Sequence, residues 1–91
     1  MTAQTVTVVN QLGMHARAAA KFVHVATRFE ARVKVSHDHR EMDGKSIMGL
    51  LLLAAARGVS ITISADGADE QDAVAALVGL VQSGFEDACG A

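Results

Sequence analysis

The sequence predicts a small α/β (α+β) domain in which helices cover one face of a single β-sheet. Short β-branched stretches with alternating apolar and polar residues recur along the chain, as in strands that have one buried face. Segments with apolar residues at helical spacing lie between them, which predicts the order β-α-β-β-α-β-α. Because strands with one apolar face need a layer that buries it, we expect one sheet with helices on one side.

The first half of the chain begins with a strand expected over residues 5–9. Gly13 interrupts the chain, and a helix is expected over residues 16–29. Its polar side chains recur three or four residues apart, so they form one basic stripe: Arg17, Lys21, His24 and Arg28. The opposite face is expected to pack on the sheet: Ala19, Ala20, Val23 and Ala26. A strand over 32–36, a turn over 37–39 and a short edge strand over 40–43 follow.

Ser46 precedes a run that is too long and too rich in Ala and Leu for a strand. We expect a helix over residues 47–56 that Ser46 caps and Gly58 stops. A further alternating strand is predicted over residues 60–65. The third helix is expected from about residue 70 to 85, with Asp69 as its cap. Its apolar stripe consists of Val74, Leu77, Val78 and Val81.

Composition limits the class of protein. The 91 residues suffice for one domain, expected over residues 1–91, and with 51% apolar but only three aromatic residues its core must be aliphatic. A net charge of −2 disfavours a nucleic-acid-binding or membrane-surface protein. The single cysteine, Cys89, cannot form an intrachain disulfide. Because neither a signal peptide nor a membrane-spanning run is visible, we expect a cytoplasmic protein.

His15 stands where the first helix is expected to begin. A neutral imidazole is a nucleophile, and the N–H groups and partial positive charge of a helix N-terminus can hold an anion, phosphate above all. Ala16 and Arg17 would supply N–H groups, and the Arg17 side chain could add a charge-assisted contact. These features suit a phosphoryl acceptor. From the residues alone, it stays open whether His15 is only an imperfect N-cap and Arg17 a solvated residue.

Two other motifs concern the second helix and its start. GKS at residues 44–46 resembles the end of a P-loop, but the glycine that this motif requires five positions before Gly44 is His39, so we exclude it. The helix itself has no polar face. If Leu50 and Leu53 face the sheet, then Ile47, Met48 and Leu51 cannot all be buried, and we expect a docking surface that includes Met48 and Leu51. The alternative is that all of them belong to the core.

His37 and His39 could share a metal ion, but no further His or Cys at ligand spacing joins them, so we predict no metal site. No carboxylate pair is placed for acid–base catalysis. No serine or cysteine nucleophile has a base at motif spacing.

Two separate motifs resemble the histidine-containing phosphocarrier family, HPr, of the bacterial phosphoenolpyruvate-dependent phosphotransferase system. GMHARAA at residues 13–19 is similar to the active-site motif of the family, and GKSIMGLLLLAAARG at residues 44–58 to its regulatory-serine segment. ITISADGADEQDAVAALVGLV at 61–81 and SGF at 83–85 match as well. The resemblance implies an open-faced β-sandwich: a four-stranded antiparallel sheet in the order 1-4-2-3 with three helices on one face.

The resemblance also implies the roles of residues and partners. His15 would accept a phosphoryl group on a ring nitrogen, Nδ1 in this family, from phosphorylated Enzyme I. It would pass the group to a histidine of an EIIA-type protein, with Arg17 assisting, and Ser46 would be the target of an HPr kinase/phosphorylase. The partner-binding face would include Lys21, His24, Lys45, Ile47, Met48 and Leu51. A monomeric carrier is implied rather than an enzyme, with no cofactor, metal, nucleic-acid partner or membrane insertion.

One position departs from the family pattern. Ala18 follows the arginine where the family usually has proline, which would fix φ and lack an N–H group. Alanine is an excellent helix former. The exchange of proline for alanine also removes no phosphate ligand. The departure leaves open the sugar-transport or the nitrogen-related branch, and the intact GKSI favours a kinase-regulated member. The alternative function is a regulatory binding module that signals through Ser46 alone, for which His15 would be dispensable.

Overall fold

The architecture comes from a computed structural model, which describes residues 1–53 and 55–85. Its elements confirm the predicted order and are β1 (Thr2–Thr7), α1 (Ala16–Ala26), β2 (Arg32–His37), β3 (Arg40–Asp43), α2 (Ile47–Leu53), β4 (Ser60–Asp66) and α3 (Glu70–Gln82). Cys89 lies outside the described residues. No helix in the described ranges is long and apolar enough to cross a membrane.

The four strands form one antiparallel sheet in the order β1-β4-β2-β3, as expected. The central strand β4 shows the alternation clearly, because Ile61, Ile63 and Ala65 are buried while the residues between them are not. On the opposite face, the hydroxyls of Thr5 and Thr62 share a hydrogen bond of 2.9 Å across the register pair that joins β1 and β4. One face of the sheet is therefore polar and open, and the other carries the helices.

The core between the sheet and the helices is mainly aliphatic, as predicted, and its largest side chains are those of Phe22 and Phe85. All four residues of the predicted α3 stripe are buried. On α1 the buried face consists of Ala18, Ala19, Phe22 and Ala26. The prediction was wrong for Ala20, which is exposed, and Val23 is half-buried. At 100° per residue, Ala20 falls among the polar side chains rather than opposite them.

Several predicted helix boundaries were wrong, and for α1 and α3 local bonds at the C-terminus close the helix early. Helix α1 ends at Ala26 rather than 29, where the Thr27 hydroxyl donates to the His24 carbonyl at 2.9 Å. Helix α2 is described to Leu53 rather than 56. Helix α3 ends at Gln82, and Phe85 then donates its N–H to the Leu80 carbonyl at 2.9 Å. These are short terminal bonds of the kind that close helices.

Strand β1 begins and ends earlier than predicted, at Thr2 and Thr7, because its pairing with β4 runs from Thr2↔Ala65 to Thr7↔Ser60. Beyond it, Val8 donates its N–H to the Val59 carbonyl at 2.9 Å. Val8 is fully buried, so this segment leads the chain through the core toward α1.

Asp69 occupies the predicted N-cap position of α3, but its side chain makes no cap bond. Its two carboxylate oxygens instead accept the N–H groups of Glu30 and Ala31, each at 2.9 Å, and these bonds lower the pKa of Asp69. The carboxylate of Glu70 closes the helix end, because it accepts the Gly67 N–H at 3.3 Å. The prediction of Asp69 at the N-cap is therefore confirmed for its position, but its side chain does not cap α3, since the turn after α1 uses both carboxylate oxygens.

Candidate functional site

The loop before α1 is fastened on both sides, and this fixes His15. Gly13 has φ +66°, and a Cβ there would lie 2.5 Å from the Ala55 carbonyl oxygen, so the position needs glycine. The Asn10 side-chain amide donates to the Gly13 carbonyl at 2.7 Å. Met14 is buried and donates its N–H to the Ala55 carbonyl at 2.8 Å. The chain after α2 therefore serves as the floor of the loop that presents His15.

His15 is the N-cap of α1, with an extended backbone (φ −83°, ψ 178°). Its Nδ1 accepts the N–H of Arg17 at 3.2 Å, and its carbonyl accepts the N–H of Ala19 at 2.8 Å. Because Nδ1 accepts a hydrogen bond, its lone pair points at the helix end and the ring proton of the neutral form lies on Nε2. The two interpretations of His15, as an N-cap and as a phosphoryl acceptor, are therefore compatible. The nitrogen that caps the helix is the one that could act as the nucleophile.

Unused donors surround that nitrogen. Within residues 1–53 and 55–85, the N–H groups of Ala16 and Ala18 have no hydrogen-bond acceptor, and the first turn of α1 contains no acidic residue. The departure at Ala18 therefore adds a donor that proline would lack. An anion at this end of α1 would meet aligned N–H groups and no carboxylate from the helix itself.

A shallow cavity of about 220 Å³ opens beside the ring. It joins the first turns of α1 to the end of α3 and is lined by Leu12, His15, Arg17, Ala18, Lys21, Gly84 and Phe85. Arg17 is exposed, as a mobile phosphate contact would be. The residues that the sequence did not identify as site residues are Leu12, Gly84 and Phe85. For the last two, the one signal was the SGF stretch matched by the family resemblance.

The basic stripe predicted for α1 is present, but its residues differ in exposure. His24 and Arg28 are exposed, whereas Lys21 is half-buried and donates its ammonium to the Phe85 carbonyl at 2.9 Å. Lys45, predicted as a partner contact, is similar, because its ammonium donates to the Phe29 carbonyl at 2.7 Å. Both lysines connect neighbouring parts of the fold, so they are more constrained than surface cations that only steer a partner.

Ser46 caps α2, as predicted. Its hydroxyl accepts the N–H of Gly49 at 3.1 Å, and its carbonyl accepts the N–H of Leu50 at 3.1 Å. The side chain is half-buried. A modifying group on this hydroxyl would stand at the start of α2.

The exposed apolar surface of α2 differs from the predicted one by one residue. Met48 is 67% exposed, Leu52 59% and Ile47 42%. Leu51 is half-buried and packs against the core, so it is less exposed than expected, and its role as a partner contact stays a prediction. The alternative in which all these side chains are core is wrong. We call Ile47, Met48 and Leu52 the α2 patch; it is large enough on so short a helix to suggest contact with another protein.

His37 ends β2, and His39 lies in the tight turn before β3, in which Asp38 and His39 have positive φ. In the described part of the chain, no three His, Cys, Asp or Glu side chains come together in a way that could hold a metal ion.

The comparisons with known proteins agree with this geometry. The family described as PTS-HPr, PTS HPr component phosphorylation site, matches residues 2–83. The phosphocarrier protein HPr of Cupriavidus necator is 45% identical over 85 residues, covering 93% of this chain and 96% of that protein. The phosphocarrier protein NPr of Escherichia coli is 40% identical over 85 residues, covering 92% and 94%.

A solved structure shows the same fold. The crystal structure of HPr-C-His from Thermoanaerobacter tengcongensis has a TM-score of 0.91 and 40% identity, and the match covers 96% of this chain and 99% of that one. The fold, the motif around His15 and the relatives lead to one conclusion: the chain belongs to the HPr family of phosphocarrier proteins of the phosphotransferase system.

Proposed function

We propose that this phosphocarrier accepts a phosphoryl group on Nδ1 of His15 from phosphorylated Enzyme I and passes it to a histidine of an EIIA-type protein. The proposal rests on one observation: Nδ1 lies at the N-terminus of α1, 3.2 Å from the Arg17 nitrogen and beside N–H groups that have no acceptor in the described residues. A nucleophile and an anion-binding helix end meet at that atom.

The transfer follows from this geometry. The Nδ1 lone pair forms a bond to phosphorus while the bond from phosphorus to the donor's histidine nitrogen breaks, through a loose, in-line transition state. Once the lone pair is used, the Arg17 N–H is free to donate to a phosphoryl oxygen together with those of Ala16 and Ala18. The Arg17 guanidinium adds a mobile contact. The phosphoryl group is stabilised by donors that need no rearrangement, so it can also leave.

Docking would use the surface around this atom. We propose partner contacts at Lys21, His24, Lys45, Ile47, Met48 and Leu51, and we add Leu52 because it is exposed. The α2 patch would supply apolar contact, and the exposed cations of α1 would attract acidic partners. Lys21 and Lys45 would contribute charge from fixed positions, because each is bound to a carbonyl.

Ser46 would be the regulatory site, phosphorylated by an HPr kinase/phosphorylase. A phosphate there would stand at the N-terminus of α2, where it is tolerated, and would add about −1.5 to −2 charges beside the α2 patch. The alternative function, a regulatory binding module that signals through Ser46 alone, gains support from the position of the Ser46 hydroxyl next to Met48 and Ile47 in the chain.

Ser46→Asp should slow phosphorylation by Enzyme I severalfold through repulsion of an acidic partner, without unfolding the domain. The initial rate and the thermal unfolding midpoint are the measurements, and Ser46→Asn is the matched control that caps the helix without charge. Equal rates for the Asp variant and the wild type would contradict a regulatory role.

We also propose that residues 1–91 act as one monomeric carrier in the cytoplasm, without a cofactor and with no catalysis of its own. The sugar-transport and nitrogen-related branches both remain candidates. The relative called NPr supports the second, and the intact GKSI supports a kinase-regulated member of either.

The test is to mix the protein with phosphoenolpyruvate, Mg²⁺ and Enzyme I of the same organism and to weigh it intact. An acid-labile gain of one phosphoryl group that is absent in His15→Ala is expected. No gain in the wild type would overturn the carrier role of His15 and favour the module that signals through Ser46.

A further inference from the structure

Lys21 holds a positive charge at the wall of the His15 cavity, and no carboxylate within residues 1–53 and 55–85 pairs with it. Its ammonium donates to the neutral Phe85 carbonyl at 2.9 Å in a partly buried position. The ion pairs found in the described residues join other groups, the Met1 ammonium with Glu70 and Lys34 with Glu41. A half-buried cation bound to a neutral acceptor gains most from an anion placed nearby.

The fold directs this ammonium toward His15. Side chains on a helix lean toward its N-terminus, which for α1 is the end that carries His15. Lys21 also lies one turn after Arg17 on the same side of α1. All three residues line the same cavity of about 220 Å³.

The acceptor that holds Lys21 is itself anchored. The Phe85 side chain is buried, and its N–H donates to the Leu80 carbonyl at 2.9 Å. Gly84 donates its N–H to the Val81 carbonyl at 3.0 Å. The Phe85 carbonyl therefore keeps the Lys21 ammonium in the cavity before any phosphoryl group arrives, so little conformational entropy is lost when a second bond forms.

We propose that Lys21 is a phosphoryl ligand of the phosphorylated carrier. An ammonium has three N–H donors, so one can stay on the Phe85 carbonyl while another donates to an oxygen of the phosphoryl group on His15. Lys21 would then set how tightly the carrier holds its phosphoryl group, in addition to the helix N–H groups. This inference rests on His15 being the acceptor.

The test is an equilibrium exchange between two carriers. Wild type and Lys21→Met are mixed in equal amounts with a limiting quantity of phosphoenolpyruvate, Mg²⁺ and a catalytic amount of Enzyme I. Intact mass spectrometry gives the phosphorylated fraction of each. Because Enzyme I equilibrates both carriers, a docking defect changes how fast the ratio is reached but not its final value.

We expect the phosphorylated fraction of the wild type to exceed that of Lys21→Met about fivefold to tenfold. This is the effect of one charge-assisted hydrogen bond, reduced because Lys21 already has a partner in the unphosphorylated carrier. Lys21→Arg, which keeps the charge and its donors, should compete with the wild type within about twofold. Lys34→Met is the matched control, since Lys34 is exposed on the open face of the sheet, and it should compete equally.

Phosphorus NMR of the phosphorylated forms gives a readout that a merely structural role would not move. The phosphorus resonance should shift in Lys21→Met and stay in place in Lys34→Met. An equal share of phosphoryl groups between wild type and Lys21→Met overturns the proposal for Lys21 and leaves the acceptor role of His15 intact. A wild type that takes up no phosphoryl group overturns the acceptor role, and the proposal for Lys21 with it.

Discussion

Helices α1 and α3 begin in opposite ways, although each helix end offers the same backbone donors. The start of α3 is closed by carboxylates: Glu70 and Asp72 lie in its first turn, and Glu70 binds the Gly67 N–H. The start of α1 has no acidic residue in its first turn and is capped by an imidazole nitrogen. A helix end becomes an anion site only when side chains leave its N–H groups free, so the difference lies in a few residues and not in the backbone.

The largest effect is expected from disrupting the loop that holds His15 at the start of α1. Gly13→Ala combines a positive φ with a Cβ 2.5 Å from the Ala55 carbonyl oxygen, so it should lower the free energy of unfolding by about 2–4 kcal/mol. Gly58→Ala is the matched control. It has φ +87° but no atom within 4 Å of the added Cβ, so it should cost only about 1–2 kcal/mol. Urea unfolding of both variants checks this, and equal losses would contradict the close contact at Gly13.

A carboxylate at the start of α1, like those at the start of α3, should slow phosphorylation with little loss of stability. Ala16→Glu places a carboxylate on the exposed first residue of α1, where it competes for the N–H groups and repels a phosphoryl dianion. The initial rate of phosphorylation by Enzyme I should fall about tenfold. Ala16→Gln, which has the same shape without the charge, should stay within about twofold. If both variants lose the same activity, size rather than charge is responsible.

Acid should weaken the carboxylate bonds at the start of α3. Hydrogen bonds from the Thr2 hydroxyl, the Met1 ammonium and the Gly67 N–H lower the pKa of Glu70 from 4.5 to about 2. A carboxyl whose folded pKa is depressed contributes stability above its unfolded pKa and loses it as the pH falls toward the folded one. The contribution should therefore disappear between pH 4.5 and about 2.

Unfolding measured across that range tests the expectation, which concerns the smallest of these effects because Glu70 is solvent-accessible. Glu70→Gln should be less stable than the wild type at neutral pH, and the difference should shrink as the pH falls through this range. A difference that does not change with pH would mean that the charge of Glu70 plays no part.

Local patterns were enough to predict most of the fold and to place His15 at the start of α1. Alternation revealed the strands, and the α3 stripe proved buried as predicted. His15, Arg17 and Ser46 followed from the chemistry of helix ends and from two motifs. What could not be predicted depends on partners that are distant in sequence. Asp69 bonds to a turn 39 residues away, Lys21 to a carbonyl 64 residues away, and no local pattern signals either contact.

The end of α2 could not be predicted for the same reason. The carbonyl of Ala55 accepts the Met14 N–H instead of continuing α2, and the sequence around residue 55 is a good helix former by any local measure. The prediction for Ala20 was wrong for a different reason. An alanine fits either face of a helix, and its neighbours decide which face is buried.

In the proposed mechanism, the nitrogen at the start of α1 would also limit how fast this carrier can work. Nδ1 of His15 would face one phosphorus atom at a time, because it lies beside a single cavity that both a donor and an acceptor would have to approach. A donor and an acceptor therefore have to take turns, and each must leave before the other arrives. A tight complex would then slow the carrier, because the time that it spends bound to one partner delays its transfer to the next.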